Sequence, residues 1–253
     1  MKKIKIRFIT QVVSLGGIDF YFFRLKSLCV PALNCHSCPA AVFACPVGAL
    51  VNFAGLRIFP FITIGILGLT GIIAGRFVCG WICPFGLFQD VLNRVPSRGV
   101  SVRLPQKLNY TKYAVLAMFV FAIPVLLPSS NYTFCFFCPS GTLQSTIPWS
   151  LMGVTSGDNA RFAMRLSILA LVALLAIAAG RGFCRLFCPL GAILSFFNRI
   201  SLFRMRFVSP CNNCGICARK CPVGIDPVKQ MNTRDCIRCL ECTDPPHLKF
   251  GVK

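Results

Sequence analysis

The sequence predicts an all-α membrane protein of about four transmembrane helices, with a small α+β ferredoxin-like module of the 2[4Fe-4S] type on its cytoplasmic side. Three observations predict it. Hydrophobic residues fill 55% of the 253 positions and the mean hydropathy is +0.69, outside the range of an ordinary soluble domain. Lysine and arginine are shared unevenly between the segments that join the apolar runs. Cysteine occupies 17 positions in ligand-spaced groups, five of which close with Cys-Pro-x-Gly at Cys45, Cys83, Cys138, Cys188 and Cys221.

The spans follow in chain order. Phe8 to Phe23 contains Gln11 and Asp19, so it reads as a tilted or interfacial first span. A basic start, Met1-Lys2-Lys3-Ile4-Lys5, fits a signal peptide, but no compact small-residue cleavage site follows. Ile58 to Gly75 is an uncharged run of 18 residues, which at about 1.5 Å per residue nearly spans a hydrocarbon core about 30 Å thick. Tyr113 to Pro128 is similar, with a kink expected at Pro124, and Phe162 to Gly180 is apolar apart from Arg165. Residues 1–205 then form a transmembrane domain and residues 206–253 the ferredoxin-like domain.

A net charge of +20 raises the possibility of nucleic-acid binding, but the basic residues sort by topology instead. With a cytoplasmic N-terminus, segments 1–7, 76–112 and 181–253 carry 22 Lys and Arg, against 5 in segments 24–57 and 129–161 together with Arg165. That asymmetry puts both termini in the cytoplasm of a multi-pass protein of a bacterial or archaeal inner membrane. Nucleic acid is not an expected partner; the lipid bilayer is.

In the tail, Cys211-x2-Cys214-x2-Cys217-x3-Cys221-Pro222 matches the bacterial ferredoxin run, in which the fourth cysteine reaches the other cluster. Cys236, Cys239, Cys242 and Cys221 should therefore hold one [4Fe-4S] cluster. Cys211, Cys214 and Cys217 lack a closing cysteine, since Pro246 stands in its place within Thr243-Asp244-Pro245-Pro246-His247. Asp244 or His247 as ligand, a borrowed thiolate, or a [3Fe-4S] core all remain open. A structural zinc site would need ligands in fours, which two triplets plus Cys-Pro do not give.

An internal repeat supplies a further site. Residues 74–86, with Gly75-Arg76, Cys79 and Cys83-Pro84, align without gaps at an offset of 105 with residues 179–191, with Gly180-Arg181, Cys184 and Cys188-Pro189; the copies end in Asn93-Arg94 and Asn198-Arg199. Cysteines four apart share a helical face, so Cys79, Cys83, Cys184 and Cys188 would give four thiolates for at least one more cluster at the inner surface. Buried free cysteine is the bland reading, but chance placement does not repeat the flanking pairs. On the outer side lie Cys29, Cys35, Cys38, Cys45, Cys135 and Cys138, which either ligate clusters or form the disulfides usual in an oxidising compartment. Six thiols exceed one cubane by two. Redox centres would then face both compartments, with the bilayer between them.

The paired Gly-Arg-x-x-Cys-x3-Cys-Pro units after apolar helices, followed by the ferredoxin-like tail, resemble the NapH/MauN-type membrane iron-sulfur proteins, related to the membrane domains of NosR and CcoG. The resemblance covers about Ile58 to Lys253. It implies a membrane electron-transfer subunit, with quinol oxidation serving periplasmic redox enzymes and quinone as a candidate cofactor. It makes Cys79, Cys83, Cys184 and Cys188 the paired membrane motifs, and a cytoplasmic ferredoxin-type donor a further candidate partner. The missing tail cysteine and the thiol-rich block from Cys29 to Cys45 depart from the family pattern and point to a subfamily with its own partner. A metal-handling or assembly factor, delivering reduced metal to a periplasmic enzyme, is the alternative.

Other chemistry has little support. Only His36 and His247 exist and no Cys-x-x-Cys-His is present, which disfavours haem. No phosphate-binding loop occurs, and the seven acidic residues give acid-base chemistry few candidates, among them Asp90, just after a Cys-Pro-x-Gly unit, as a candidate to take a quinol proton. A helix N-terminal position near the macrodipole is its simpler explanation.

Overall fold

The computed structural model describes residues 2–19, 26, 28–94, 105–128, 132–154, 159–207, 215–243 and 248–252. Helices dominate: α1 (Lys2–Asp19), α2 (Pro46–Gly55), α3 (Phe61–Ala74), α4 (Phe77–Trp81) and α5 (Pro84–Asn93), then α6 (Lys107–Leu126), α7 (Asn159–Ala179), α8 (Gly182–Leu186) and α9 (Pro189–Phe197). Residues 134–151 between α6 and α7 form a helix interrupted at Cys138.

Among the described residues α6 and α7 are the helices long and apolar enough to cross a membrane. The apolar run from Ile58 yields only the 14 residues of α3, about 21 Å at 1.5 Å per residue. Pro60 disfavours helix in the residue before it, and Gly75 ends α3 at φ +56. In α1, Arg7 and Gln11 are buried while Ile9 and Val13 are exposed, so its polar side faces the protein. Pro124 does not break α6. The chain widens into a π-helical turn over Leu116–Ala122, which rearranges the carbonyls that a proline ring would otherwise meet. A second π turn, Thr142–Thr146, precedes Pro148.

The tail opens on β1 (Phe203–Phe207), which pairs antiparallel with β2 (Leu248–Val252) in the register Phe203↔Val252; the expected boundary at residue 206 falls inside β1. Between the strands lie short helical turns at Ile216–Arg219 and Pro227–Gln230. Phe250 stacks between Phe77 and Phe203, at 5.3 Å and 5.8 Å, tying this module to the first repeat. Gly80 and Gly180 set the closeness of that docking. A Cβ at Gly80 would stand 2.6 Å from the Ile237 carbonyl oxygen, and one at Gly180 (φ +63) would stand 2.5 Å from that of Pro222.

Candidate iron-sulfur sites

Four of the five Cys-Pro-x-Gly units begin helices. Cys45, Cys83, Cys138 and Cys188 are N-caps with extended backbone, each followed by proline at the first helical position. Proline fits there because its missing N–H has no helical partner to lose. At Cys188 the thiol takes the role a serine or aspartate usually plays, with the Gly191 N–H donating to Sγ at 3.4 Å; the Cys45, Cys83 and Cys138 thiols make no such cap hydrogen bond. A helix N-terminus also favours a thiolate. Among the five units a sharp glycine turn occurs only at Cys221, where Gly224 has φ +69 and its N–H returns to the Cys221 carbonyl at 3.0 Å. Elsewhere glycine is needed for close approach. A Cβ at Gly86 would lie 2.9 Å from the Cys79 oxygen, and one at Gly191 3.0 Å from that of Cys184.

The two repeats come together as a pseudo-twofold pair. Cys79 and Cys83 do not share one helical face, nor do Cys184 and Cys188, because the prolines keep the cysteines before them out of helical conformation. Cys79 lies within α4 and Cys184 within α8, while Cys83 and Cys188 cap α5 and α9. All four are buried and close enough to feel one another's charge. The repeat arginines cross over: Arg76 Nη2 donates to the Cys184 carbonyl at 2.9 Å, and Arg181 Nη1 donates to that of Cys79. The charge of Arg76 also acts on the Cys79 thiol, and Gln89 Nε2 donates to Cys184 Sγ at 3.0 Å.

Sequence reasoning missed Gln89 and misplaced Asp90. Asp90 is the seventh residue of α5, beyond the first turn. Its carboxylate accepts from Arg181 Nε at 2.8 Å, from Gln11 at 3.2 Å, and from Arg181 Nη2 and Arg7. Arg7 also pairs with Glu241 and donates to the Gly80 carbonyl, which links α1, both repeats and the tail. No motif marks this cluster: the second copy has Ser195 where the first has Asp90, and Arg7 and Gln11 lie outside both copies.

In the tail, Cys221, Cys236, Cys239 and Cys242 line one small cavity with Met205, Val223, Ile225 and Ile237. Of the first triplet only Cys217 is described, with Sγ 3.5 Å from the Cys242 carbonyl oxygen; Cys211, Cys214, Asp244, Pro246 and His247 lie outside the described residues. This cavity adjoins the repeat pair. Gly80, next to Cys79, packs on Ile237 and Cys239, and Asn198 Nδ2 donates to the Cys236 carbonyl at 2.9 Å.

Of the six thiols expected on the outer side, none of which is in a disulfide, Cys35, Cys45, Cys135 and Cys138 line a cavity of about 310 Å³ with His36, Ser145 and Arg165. Cys29 and Cys38 are buried and do not line it, although Cys38 is close enough to Cys35 to feel its charge. The outer set is not a bilayer away from the repeat pair. Residues 28–45 fold back into the helices, and Leu33 belongs to the same buried cluster as Cys83. The Leu33 carbonyl accepts from Ser140 Oγ at 3.3 Å, and Cys35 follows two residues later.

These donor sets fit iron-sulfur clusters. Burial, compounded by neighbouring thiolates, pushes Cys184 up to about 11 and Cys45 and Cys242 up to about 12, so ionisation awaits a cationic core that replaces the protons. Thiolates, N–H donors and excluded water are what such clusters use.

A family model described as a 4Fe-4S binding domain matches residues 56–103, 111–152 and 161–209, each segment containing one Cys-Pro unit. An uncharacterized protein of Methanocaldococcus jannaschii is 30% identical over 96% of this chain and 92% of its own length. Protein NirI of Paracoccus denitrificans is 33% identical over 66% of this chain and 24% of its own length. The ferredoxin-type protein NapH of Escherichia coli is 28% identical over 67% and 58%. No solved structure matches.

Proposed function

Because the chain belongs to the 4Fe-4S binding domain family, with an iron-sulfur electron-transfer role in the membrane, we propose that it relays electrons between a quinone or cytoplasmic donor and an extracytoplasmic redox partner. The observation that carries this reading is contiguity. The tail cavity meets the repeat pair at Gly80 and Ile237, and the repeat pair meets the outer thiols at Leu33. In this reading about four helical segments cross the bilayer with both termini cytoplasmic, as the 22-to-5 distribution of basic residues favours.

Cys221, Cys236, Cys239 and Cys242 would hold one cluster, and Cys79, Cys83, Cys184 and Cys188 another. A bound [4Fe-4S] cluster supplies one-electron transfer at a potential set by local charge and by hydrogen bonds to its sulfurs. The protein's own part is positioning. Arg76 sets its charge beside Cys79, Gln89 presents an N–H to Cys184, and Arg181, held by Asp90, locks the Cys79 segment in place. Burial of all four thiols keeps water away. The test is an anaerobic titration of purified protein with a quinol, and separately with a low-potential reductant, following the visible cluster absorbance. Reduction by quinol supports a quinone-linked relay. Reduction by the low-potential donor alone limits the protein to ferredoxin-type input, and no reduction by either removes the reading.

A further inference from the structure

We propose that Cys35, Cys45, Cys135 and Cys138 form an all-cysteine site for a further [4Fe-4S] cluster, to the exclusion of Cys29 and Cys38. Its use as the outward end of the relay rests on the function proposed above; the metal site itself does not.

The site is built from two Cys-Pro-x-Gly helix starts that face each other. The turn after Cys45 presents Gly48 to Cys135, where a Cβ would lie 3.7 Å from Sγ. The turn after Cys138 presents Gly141 to Cys35, where a Cβ would lie 3.6 Å from Sγ. Each segment thus supplies one N-cap thiol and one thiol held against the other segment's glycine, a crossed arrangement like that of the repeat pair.

Size and charge select the occupant. Four thiolates on a single zinc ion at about 2.3 Å would sit about 3.8 Å apart with no space between them, whereas here they border a cavity of about 310 Å³. Loading exchanges four thiol protons for four Fe–S bonds and leaves a complex of net negative charge. Arg165 lines the same cavity with its Nε unpartnered, while its Nη1 donates to Thr146 Oγ1 at 3.1 Å. Cys135 is exposed, giving this site an edge toward a partner.

The two remaining thiols have other surroundings. Cys29 Sγ lies 3.8 Å from Thr63 Oγ1, in a segment bridged to Ala44. Cys38 is buried in a turn closed by its N–H to the Cys35 carbonyl at 3.1 Å.

The test counts iron and acid-labile sulfide on full-length protein purified without oxygen, with electron paramagnetic resonance of the reduced protein. Cys45→Ser and Cys135→Ser should each lose about four iron atoms and one signal relative to wild type, while Cys29→Ser and Cys38→Ser keep the full complement. Cys135 is exposed, so its variant reads the site even if Cys45→Ser fails to fold. Full iron in Cys135→Ser, equal losses in Cys38→Ser, or a disulfide between any two of the four thiols in anaerobic wild type by mass spectrometry would each overturn the assignment. Iron lost as described from a protein that no quinol or low-potential donor reduces would keep the site and remove the relay; the converse result would keep the relay and remove the site.

Discussion

Replacing Asp90 by Asn should destabilise the protein severely, because Asp90 is a charge that several elements share. Burial alone would raise its pKa; the charge of Arg181, the hydrogen bonds from it, and the charge of Arg7 outweigh that and hold it at about 2, against an ordinary 3.8. A depressed carboxylate stabilises the fold above its unfolded pKa and loses that contribution as pH falls toward the folded value, so at neutral pH the whole effect is present. The displacement of about 2 units corresponds to about 2.5 kcal/mol. Asn removes more than that. Arg7 keeps Glu241, but Arg181 loses its counter-charge and keeps only neutral acceptors, the amide oxygen and the Cys79 and Gly80 carbonyls, and stripping a buried charge of its partner costs about 3–5 kcal/mol. At about 2–4 °C per kcal/mol for a chain of this size, the melting temperature in detergent, followed by circular dichroism, should drop by roughly 6–20 °C. The double variant Asp90→Asn/Arg181→Met should recover part of the loss. A melting temperature within about 2 °C of wild type for Asp90→Asn would refute the view that this carboxylate anchors α1, the repeats and the tail together.

Gly80→Val should undock the tail, since even a Cβ meets the Ile237 oxygen at 2.6 Å, and limited proteolysis should then release residues C-terminal to β1 faster than in wild type. Cys221→Ser should cost about four iron atoms by iron and sulfide analysis, with unchanged iron removing Cys221 from the tail site. Reporter fusions after Val51, Pro128 and Lys253 should place the first two outside and the last inside; an exported C-terminus would invert the direction of the relay.

What the sequence made legible was chemistry carried by spacing. The tail grouping of Cys221 with Cys236, Cys239 and Cys242 and the pairing of the two repeats depend on motifs a few residues long, and both sets converge in the structure. What it concealed depends on long-range packing. Hydropathy marked Ile58 to Gly75 as a full span, yet Pro60 and Gly75 leave a 14-residue helix. The outer and inner cysteines read as opposite faces because loops between apolar runs are assumed to lie at the surface, whereas Ala32 and Leu33 are 0% and 1% exposed. Which four of six outer thiols share a cavity was equally invisible, because Cys35 and Cys135 are 100 positions apart in sequence. Gln11, with no motif around it, became informative only when it lay against Asp90.

Transfer across a membrane tests the relay most directly. Protein reconstituted into sealed vesicles, oriented with the tail outside and ferricyanide trapped within, would be given a membrane-impermeant reductant externally. Wild-type vesicles should reduce the trapped ferricyanide, and Cys188→Ser vesicles, with the protein still inserted, should not. Equal rates in the two, or no reduction by wild type at all, would contradict a relay that runs through the repeat pair.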